Sequence, residues 1–189
     1  MDKYCLPDNY QHRINNGFFD DTPYTDEYQD KVYNIAFYWG KLKEYSSVLD
    51  IGTGSGFKLM KYFKDYKTFG IDIGSTVDFL KEKYPERSWG EVGEAENKHD
   101  LIICSDVIEH IPDADDLIKT ILSFDFKTIM ISTPDRDSLY PNTLGKPSNP
   151  AHVREWTMDE FNCYLSKYFY VIRHRKLEPN TQYAICRKK

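Results

Sequence analysis

A chain of 189 residues, 40% hydrophobic and 15% aromatic, carries enough apolar surface for one folded core; this excludes disorder of the whole chain and leaves no length for a separate catalytic domain. Lys and Arg number 25 against 30 Asp and Glu, and the formal net charge of −5 excludes a broad positive field that would hold nucleic-acid backbone or anionic lipid without specificity. Cys5, Cys104, Cys163 and Cys186 form no CxxC pair, no apolar run approaches the roughly 18 residues that span a bilayer, and the polar start MDKYCLPDNYQHR lacks an export signal, so a cytoplasmic protein with reduced thiols and no membrane partner is expected.

Residues 1–24 show no period; Tyr4, Tyr10, Phe18, Phe19 and Tyr24 suit a lid over a ring-shaped group or a flexible terminal segment, and a single domain is expected over 25–189. Tyr28, Val32, Ile35, Ala36, Trp39 and Leu42 then recur at three and four residues, predicting one amphipathic helix. From Ser46 onward the short apolar runs SSVLDI, TFGIDI, RSWGEV, DLIICS and KTIMIS alternate with segments of helical period, the signature of an α/β fold with a mostly parallel sheet flanked by helices. Phe57, Met60 and Phe63 mark the helix after the first run, and Ser75 precedes one carrying Val77, Leu80 and Tyr84. Asp113 opens another, with Asp115 and Asp116 in its first turn and Leu117, Ile118, Ile121 and Leu122 on its inner face. The stretch from Thr133 to Arg154 is aperiodic and holds four prolines; loops that long in compact domains are often functional. Thr157 and Glu160 form a capping-box pattern before Phe161, Tyr164, Leu165 and Tyr168. FYVIRHRK and QYAICRKK, joined by LEPNT, predict a closing antiparallel hairpin, whose basic residues Arg173, His174, Arg175, Lys176 and Arg187 to Lys189 suit a protected sheet edge better than a phosphate site.

The first strand runs into Asp50-Ile51-Gly52-Thr53-Gly54-Ser55-Gly56, and a helix follows. Closely spaced glycines let the backbone turn tightly and approach a ligand, and the helix start offers unpaired N–H groups. Asp72 ends the second strand, where a carboxylate can accept both ribose hydroxyls of a nucleoside. The glycines read GxGxG rather than the GxGxxG of a dinucleotide site, with Asp50 two residues ahead of the first. That carboxylate would repel a pyrophosphate by on the order of a few kcal/mol at an effective dielectric near 20, and would attract the sulfonium and ammonium of S-adenosylmethionine. The alternative is that Asp50 only caps the turn.

VLDIGTGSG, the GIDI strand end and HDLIICSDVIEHIPD resemble the first, second and fourth strand motifs of the class I S-adenosylmethionine-dependent methyltransferases, over roughly residues 46–187. The resemblance implies a Rossmann-like, seven-stranded sheet ending in a reversed hairpin. By matching position, Asp50, Gly52, Thr53, Gly54 and Gly56 would border the methionine part of the cofactor, Asp72 and Ile73 its ribose and adenine edge, and Ser105 with Asp106 the reacting methyl. GEVGEAEN matches the third motif poorly, so Glu91 and Glu94 both stay open as adenine contacts.

DVIEHIP places Glu109 and His110 just past the fourth strand, and HVREWT adds His152 and Glu155 before the capped helix. Three readings are open. Glu109 and His110 can fix a loop, with His152 a satisfied structural histidine. His110 or His152 can be the base for transfer to a hydroxyl. Third, DxxEH with HxxEWT is similar to the ExxEH and HxxEWT pattern of the small-RNA 3′-terminal 2′-O-methyltransferases, which implies a Mg²⁺, Mn²⁺ or Zn²⁺ ion held by Asp106, Glu109, His110 and His152. Asp106 departs from that pattern in replacing a longer Glu, and DVIEH also resembles ubiquinone-biosynthesis and sugar or polysaccharide methyltransferases. The resulting expectation is methyl transfer from S-adenosylmethionine to a hydroxyl of a small-molecule acceptor, such as a sugar, nucleotide-sugar or glycan precursor. Transfer to an RNA 3′ end and a non-catalytic cofactor-binding module are the alternatives.

Overall fold

The computed structural model describes residues 29–139, 147 and 149–189, and the lid expected over 1–24 lies outside them. Helix α1 (Asp30–Leu42) leads into β1 (Ser47–Ile51), α2 (Phe57–Phe63), β2 (Lys67–Ile71), α3 (Gly74–Lys83), β3 (Ser88–Gly90) and β4 (Lys98–Ser105). A 3₁₀ turn (Ile108–His110), α4 (Ala114–Ser123), β5 (Asp125–Pro134), α5 (Arg136–Leu139), α6 (Met158–Tyr168), β6 (Phe169–Leu177) and β7 (Thr181–Lys188) complete the order. The strands form one seven-stranded sheet, β3-β2-β1-β4-β5-β7-β6, in which β1 to β5 run parallel and β7 lies antiparallel to both β5 and β6.

Side chains alternate across a strand, so each continuous apolar run feeds two cores. Leu49 and Ile51 of β1, Ile102 and Cys104 of β4, and Ile129 and Ile131 of β5 face Ile118 and Ile121 of α4 and Phe161 and Leu165 of α6. Val48, Leu101, Ile103 and Met130 face the other way, against Val32 and Ala36 of α1, Leu59 and Phe63 of α2, and Val77 and Leu80 of α3. This two-sided burial is why the central runs read as solid rather than alternating.

Two helix starts stand as the sequence reads them. Asp113 accepts the N–H groups of Asp115 and Asp116 to start α4, while Thr157 and Glu160 bond reciprocally at the start of α6. Others shift. Helix α3 begins at Gly74 with Ile73 as its unassisted cap, one turn position ahead of Ser75. The third strand is only three residues long, shorter than RSWGEV suggests, and sits at a sheet edge where short strands limit stray pairing. Strand β5 continues to Pro134, and Ser138 and Leu139 N–H groups bond back to the Asp135 carbonyl, so part of the supposed loop is strand and helix. The opposite edge, β6, carries the expected basic residues and a bulge between Val171 and Arg173. Among the described residues no helix is long and apolar enough to cross a membrane.

Strand order reverses between β1 and its neighbours β2 and β4. In open α/β sheets ligands enter the crevice at the carboxyl ends of the strands beside such a reversal. The glycine turn follows β1, Asp72 follows β2 and DVIEH follows β4, so all three motifs reach one rim.

Candidate functional site

Gly52, Gly54 and Gly56 all take positive φ, at 73°, 56° and 70°. The Gly52 and Thr53 N–H groups donate to the Ile71 carbonyl at 2.8 and 3.2 Å, tying the turn to β2. A Cβ on Gly52 would lie 2.3 Å from Val107 Cγ2, whereas a Cβ on Gly54 would meet nothing within 4 Å among the described residues. The turn is therefore packed against the β4 side at its start and open at its apex. Asp72 accepts the Gly54 N–H through Oδ2 and the Ile73 N–H through Oδ1, both at 2.8 Å. These bonds hold Asp72 at the turn. Glu94 Oε2 accepts the Glu91 N–H at 2.8 Å, and both acids stand by the start of α3, lining a cavity of about 480 Å³ with Gly74, Val77, Asp78 and Lys81.

Asp50 departs from its expected role. It is fully buried beneath the turn, and its carboxylate accepts the Tyr33 hydroxyl at 2.9 and 3.0 Å and the Thr53 hydroxyl at 2.8 Å. Burial pushes the carboxyl from an ordinary value of 3.8 up to about 7, outweighing the lowering effect of the two hydroxyls. At neutral pH its charge is only partly present, so it braces the turn from α1 as much as it supplies a field. The sign of the linkage follows: between roughly pH 4 and 7 the folded protein keeps a proton that the unfolded chain has released, so stability falls as pH rises through that window. The full effect is up to about 4 kcal/mol, from some three pKa units at 1.36 kcal/mol each. Urea unfolding of Asp50→Asn and of the unsubstituted protein should give a stability difference that moves in the variant's favour from pH 5 to pH 8. A pH-independent difference would show that Asp50 ionises normally.

Beyond β4, Asp106 adopts φ +53°, an uncommon conformation for a side-chain-bearing residue. Its N–H donates to the Ser132 carbonyl at 3.2 Å, and its Oδ1 accepts the Ser132 hydroxyl at 2.8 Å. Burial raises the Asp106 carboxyl above the ordinary range. Ser105 is buried and shares a 2.8 Å hydroxyl contact with Ser132, so its side chain is spent on β5 rather than presented to the crevice.

The 3₁₀ turn then brings two distant segments together. The Glu109 carbonyl accepts the Val153 N–H at 2.7 Å and its Oε2 accepts the Thr133 hydroxyl at 3.2 Å. His110 Nδ1 lies 2.8 Å from the Ala151 carbonyl, His152 Nδ1 lies 2.6 Å from Glu155 Oε1, and Asn149 Nδ2 lies 3.0 Å from His152 Nε2. The two imidazoles pack edge to face, with centroids 4.7 Å apart. A carbonyl and a carboxylate only accept, so each Nδ1 carries a hydrogen, and in the neutral imidazole each Nε2 then holds the lone pair; His110 Nε2 lies 3.9 Å from Glu109 Oε1. One ligand atom from each of Glu109, His110 and His152 lies within 4.8 Å of the others.

Three of the four sequence-predicted ligands thus converge, while Asp106 stands outside this group among the described residues. Sequence reasoning gave Glu155 no role, because its HxxE spacing from His152 acquires meaning only once the loop is placed. Two imidazole nitrogens and a carboxylate are a donor set suited to Mn²⁺, Zn²⁺ or a similar ion with positions left for substrate oxygens, and less suited to oxygen-preferring Mg²⁺. The open apex at Gly54, next to Asp72, likewise fits a nucleoside-bearing ligand.

A Rossmann-like sheet with this turn at its reversal and a reversed closing hairpin defines a class I methyltransferase. Residues 25–178 match the family model described as a methyltransferase domain, and the chain belongs to that family. It is an S-adenosylmethionine-dependent methyltransferase. Among solved structures it is similar to the N-methyltransferase NodS from Bradyrhizobium japonicum WM9 in complex with S-adenosyl-L-homocysteine: 14% identity, 96% of this chain and 99% of that one covered, TM-score 0.66. The methyltransferase domain of bacterial CtHen1 shares 20% identity over 85% of this chain and 98% of that one, with TM-score 0.65. The small RNA methyltransferase HEN1 shares 25% identity over 92% of this chain but only 26% of that one, with TM-score 0.62. No curated protein sequence matches the chain.

Proposed function

We propose that the protein is a metal-assisted O-methyltransferase whose acceptor is a vicinal diol on a sugar, within a small molecule such as a nucleotide-sugar or glycan precursor. The convergence of Glu109, His110 and His152 carries this reading. Methyl transfer is an in-line displacement at the sulfonium methyl, so the protein must align two reactants and supply a deprotonated hydroxyl. A sugar hydroxyl ionises far above neutral pH, and a bound divalent ion lowers that value and can hold two adjacent oxygens at once. Glu109 and the two Nε2 atoms would hold the ion, with Asp106 beside the reacting methyl. In the same reading Gly52, Thr53, Gly54 and Gly56 border the methionine part of the cofactor, and Asp72 with Ile73 the ribose and adenine edge.

A second reading, 2′-O-methylation of an RNA 3′ end, is favoured by the 25% identity to HEN1 together with the HxxEWT segment. A terminal ribose is also a vicinal diol, so the same site would serve. The net charge of −5 favours the smaller acceptor, because RNA binding draws most of its affinity from phosphate neutralisation. The test is transfer of labelled methyl from S-adenosylmethionine to a panel of nucleotide-sugars, glycans and short RNAs, before and after EDTA and after Mn²⁺ is restored. Labelling of a sugar that falls more than about tenfold with EDTA and returns with Mn²⁺ is expected. RNA ends that become resistant to periodate would transfer the assignment to the second reading. Undiminished labelling after EDTA would remove the metal.

A further inference from the structure

We infer that Glu155 is a positioning residue: it fixes the tautomer and aim of His152 so that Nε2 presents its lone pair to an ion shared with Glu109 and His110. This rests on the metal reading above and adds a residue that acts through another.

Two independent contacts report the same tautomer. On one side Glu155 Oε1, 2.6 Å from Nδ1, can only accept. On the other, Asn149 Oδ1 accepts the Ala151 N–H at 2.9 Å, which turns the Asn149 amide nitrogen toward His152 Nε2 at 3.0 Å as a donor to its lone pair, a bond that a bound ion would replace. The two histidines are held unequally. His110 is oriented by a backbone carbonyl and His152 by a carboxylate, and a carboxylate partner makes the imidazole the more basic ligand.

Glu155 is itself held rigidly. Arg136 donates to its carbonyl at 3.3 Å and to Glu160 Oε1 at 2.9 Å, and the Arg136 N–H donates to the Trp156 carbonyl at 3.0 Å. Gln182 Nε2 adds a 2.8 Å bond to that same carbonyl, so the HVREW segment is clamped against the end of β5 before the α6 capping box begins. The energetics also argue against a role in folding alone. Glu155 is 3% exposed and its Oε2 has no hydrogen-bond partner among the described residues, an arrangement that costs stability. An amide at this position would keep the acceptor for Nδ1 and lose the charge.

The experiment uses the full chain, Glu155→Ala and Glu155→Gln, with two readouts: long-range ¹H–¹⁵N correlation of the His152 ring without metal, and calorimetric titration with Mn²⁺ alone. In the unsubstituted protein the ring should be a single Nδ1–H tautomer; in Glu155→Ala it should become a mixture, and Mn²⁺ affinity should fall about 10- to 100-fold. Glu155→Gln should keep the tautomer and recover most of the affinity. S-adenosylhomocysteine binding certifies that each variant is folded. A folded Glu155→Ala protein with an unchanged tautomer and unchanged Mn²⁺ affinity overturns the assignment. An unsubstituted protein that binds no Mn²⁺ overturns the metal reading instead, and a tautomer shift in Glu155→Ala would then still uphold its hold on His152.

Discussion

His152→Ala should lower methyl transfer by at least about 100-fold, the range expected for loss of a group that activates the acceptor, while S-adenosylmethionine affinity stays within about twofold. The separation follows from geometry. The glycine turn and Asp72 lie at the ends of β1 and β2, whereas the imidazoles sit past β4, attached to the segment that Glu109 pins through its carbonyl. Glu109→Gln should behave alike, because the side chain changes and the backbone bonds to Val153 persist. His99 supplies a control. It is also a buried histidine, but its Nε2 bonds the Glu96 carbonyl at the start of β4, the far end of that strand, so His99→Gln should leave transfer unaltered. Initial rates with a sulfonium-labelled donor, paired with calorimetry for the donor alone, check all three. If His152→Ala retained full turnover, the loop-fixing reading of these residues would stand. Equal loss of donor binding and turnover would place His152 in the cofactor site.

What could be read from the chain and what could not divides along the range of the interactions. The apolar runs, the Asp113 cap and the Thr157–Glu160 box are local patterns, and each formed where its residues required. The GxGxG turn was legible for the same reason: its positive φ angles are written into glycine. Asp50 was legible as an acid but not in its state, because that state depends on Tyr33, 17 residues earlier, and on burial that no spacing records. The resemblance of DxxEH to ExxEH groups Asp106 with the ligands; its left-handed backbone and the Ser132 hydroxyl 26 residues later hold it outside the group of Glu109, His110 and His152. Glu155 was hidden differently. Its partner is three residues away, but an i, i+3 acid and histidine in a loop says nothing until the Glu109 carbonyl and Arg136 fix where that loop lies.

Two alanines placed two residues apart in the turn should fail in opposite ways. At Gly52 an added Cβ would sit 2.3 Å from Val107 Cγ2 and 3.1 Å from Cγ1, and Val107, branched at Cβ, has few rotamers into which to retreat. The positive φ adds roughly 1–2 kcal/mol for a residue with a side chain, and overpacking typically adds about 1–3 kcal/mol more. Gly52→Ala should therefore lose roughly 2–5 kcal/mol, a midpoint drop of about 4–20 °C at the roughly 2–4 °C per kcal/mol usual for this size. At Gly54 only the backbone term applies, since the new methyl would meet no atom of the described residues within 4 Å. That methyl would instead stand at the apex beside Asp72, in the proposed cofactor site, so Gly54→Ala should melt within a few degrees of the parent protein yet bind S-adenosylmethionine at least about tenfold more weakly, a loss of some 1.4 kcal/mol. Combining Gly52→Ala with Val107→Ala should recover part of the stability, because it removes both colliding methyls. Thermal unfolding and donor calorimetry on the three variants decide the matter: a Gly54→Ala protein that binds the donor at full strength would mean that the cofactor does not approach the turn at its apex.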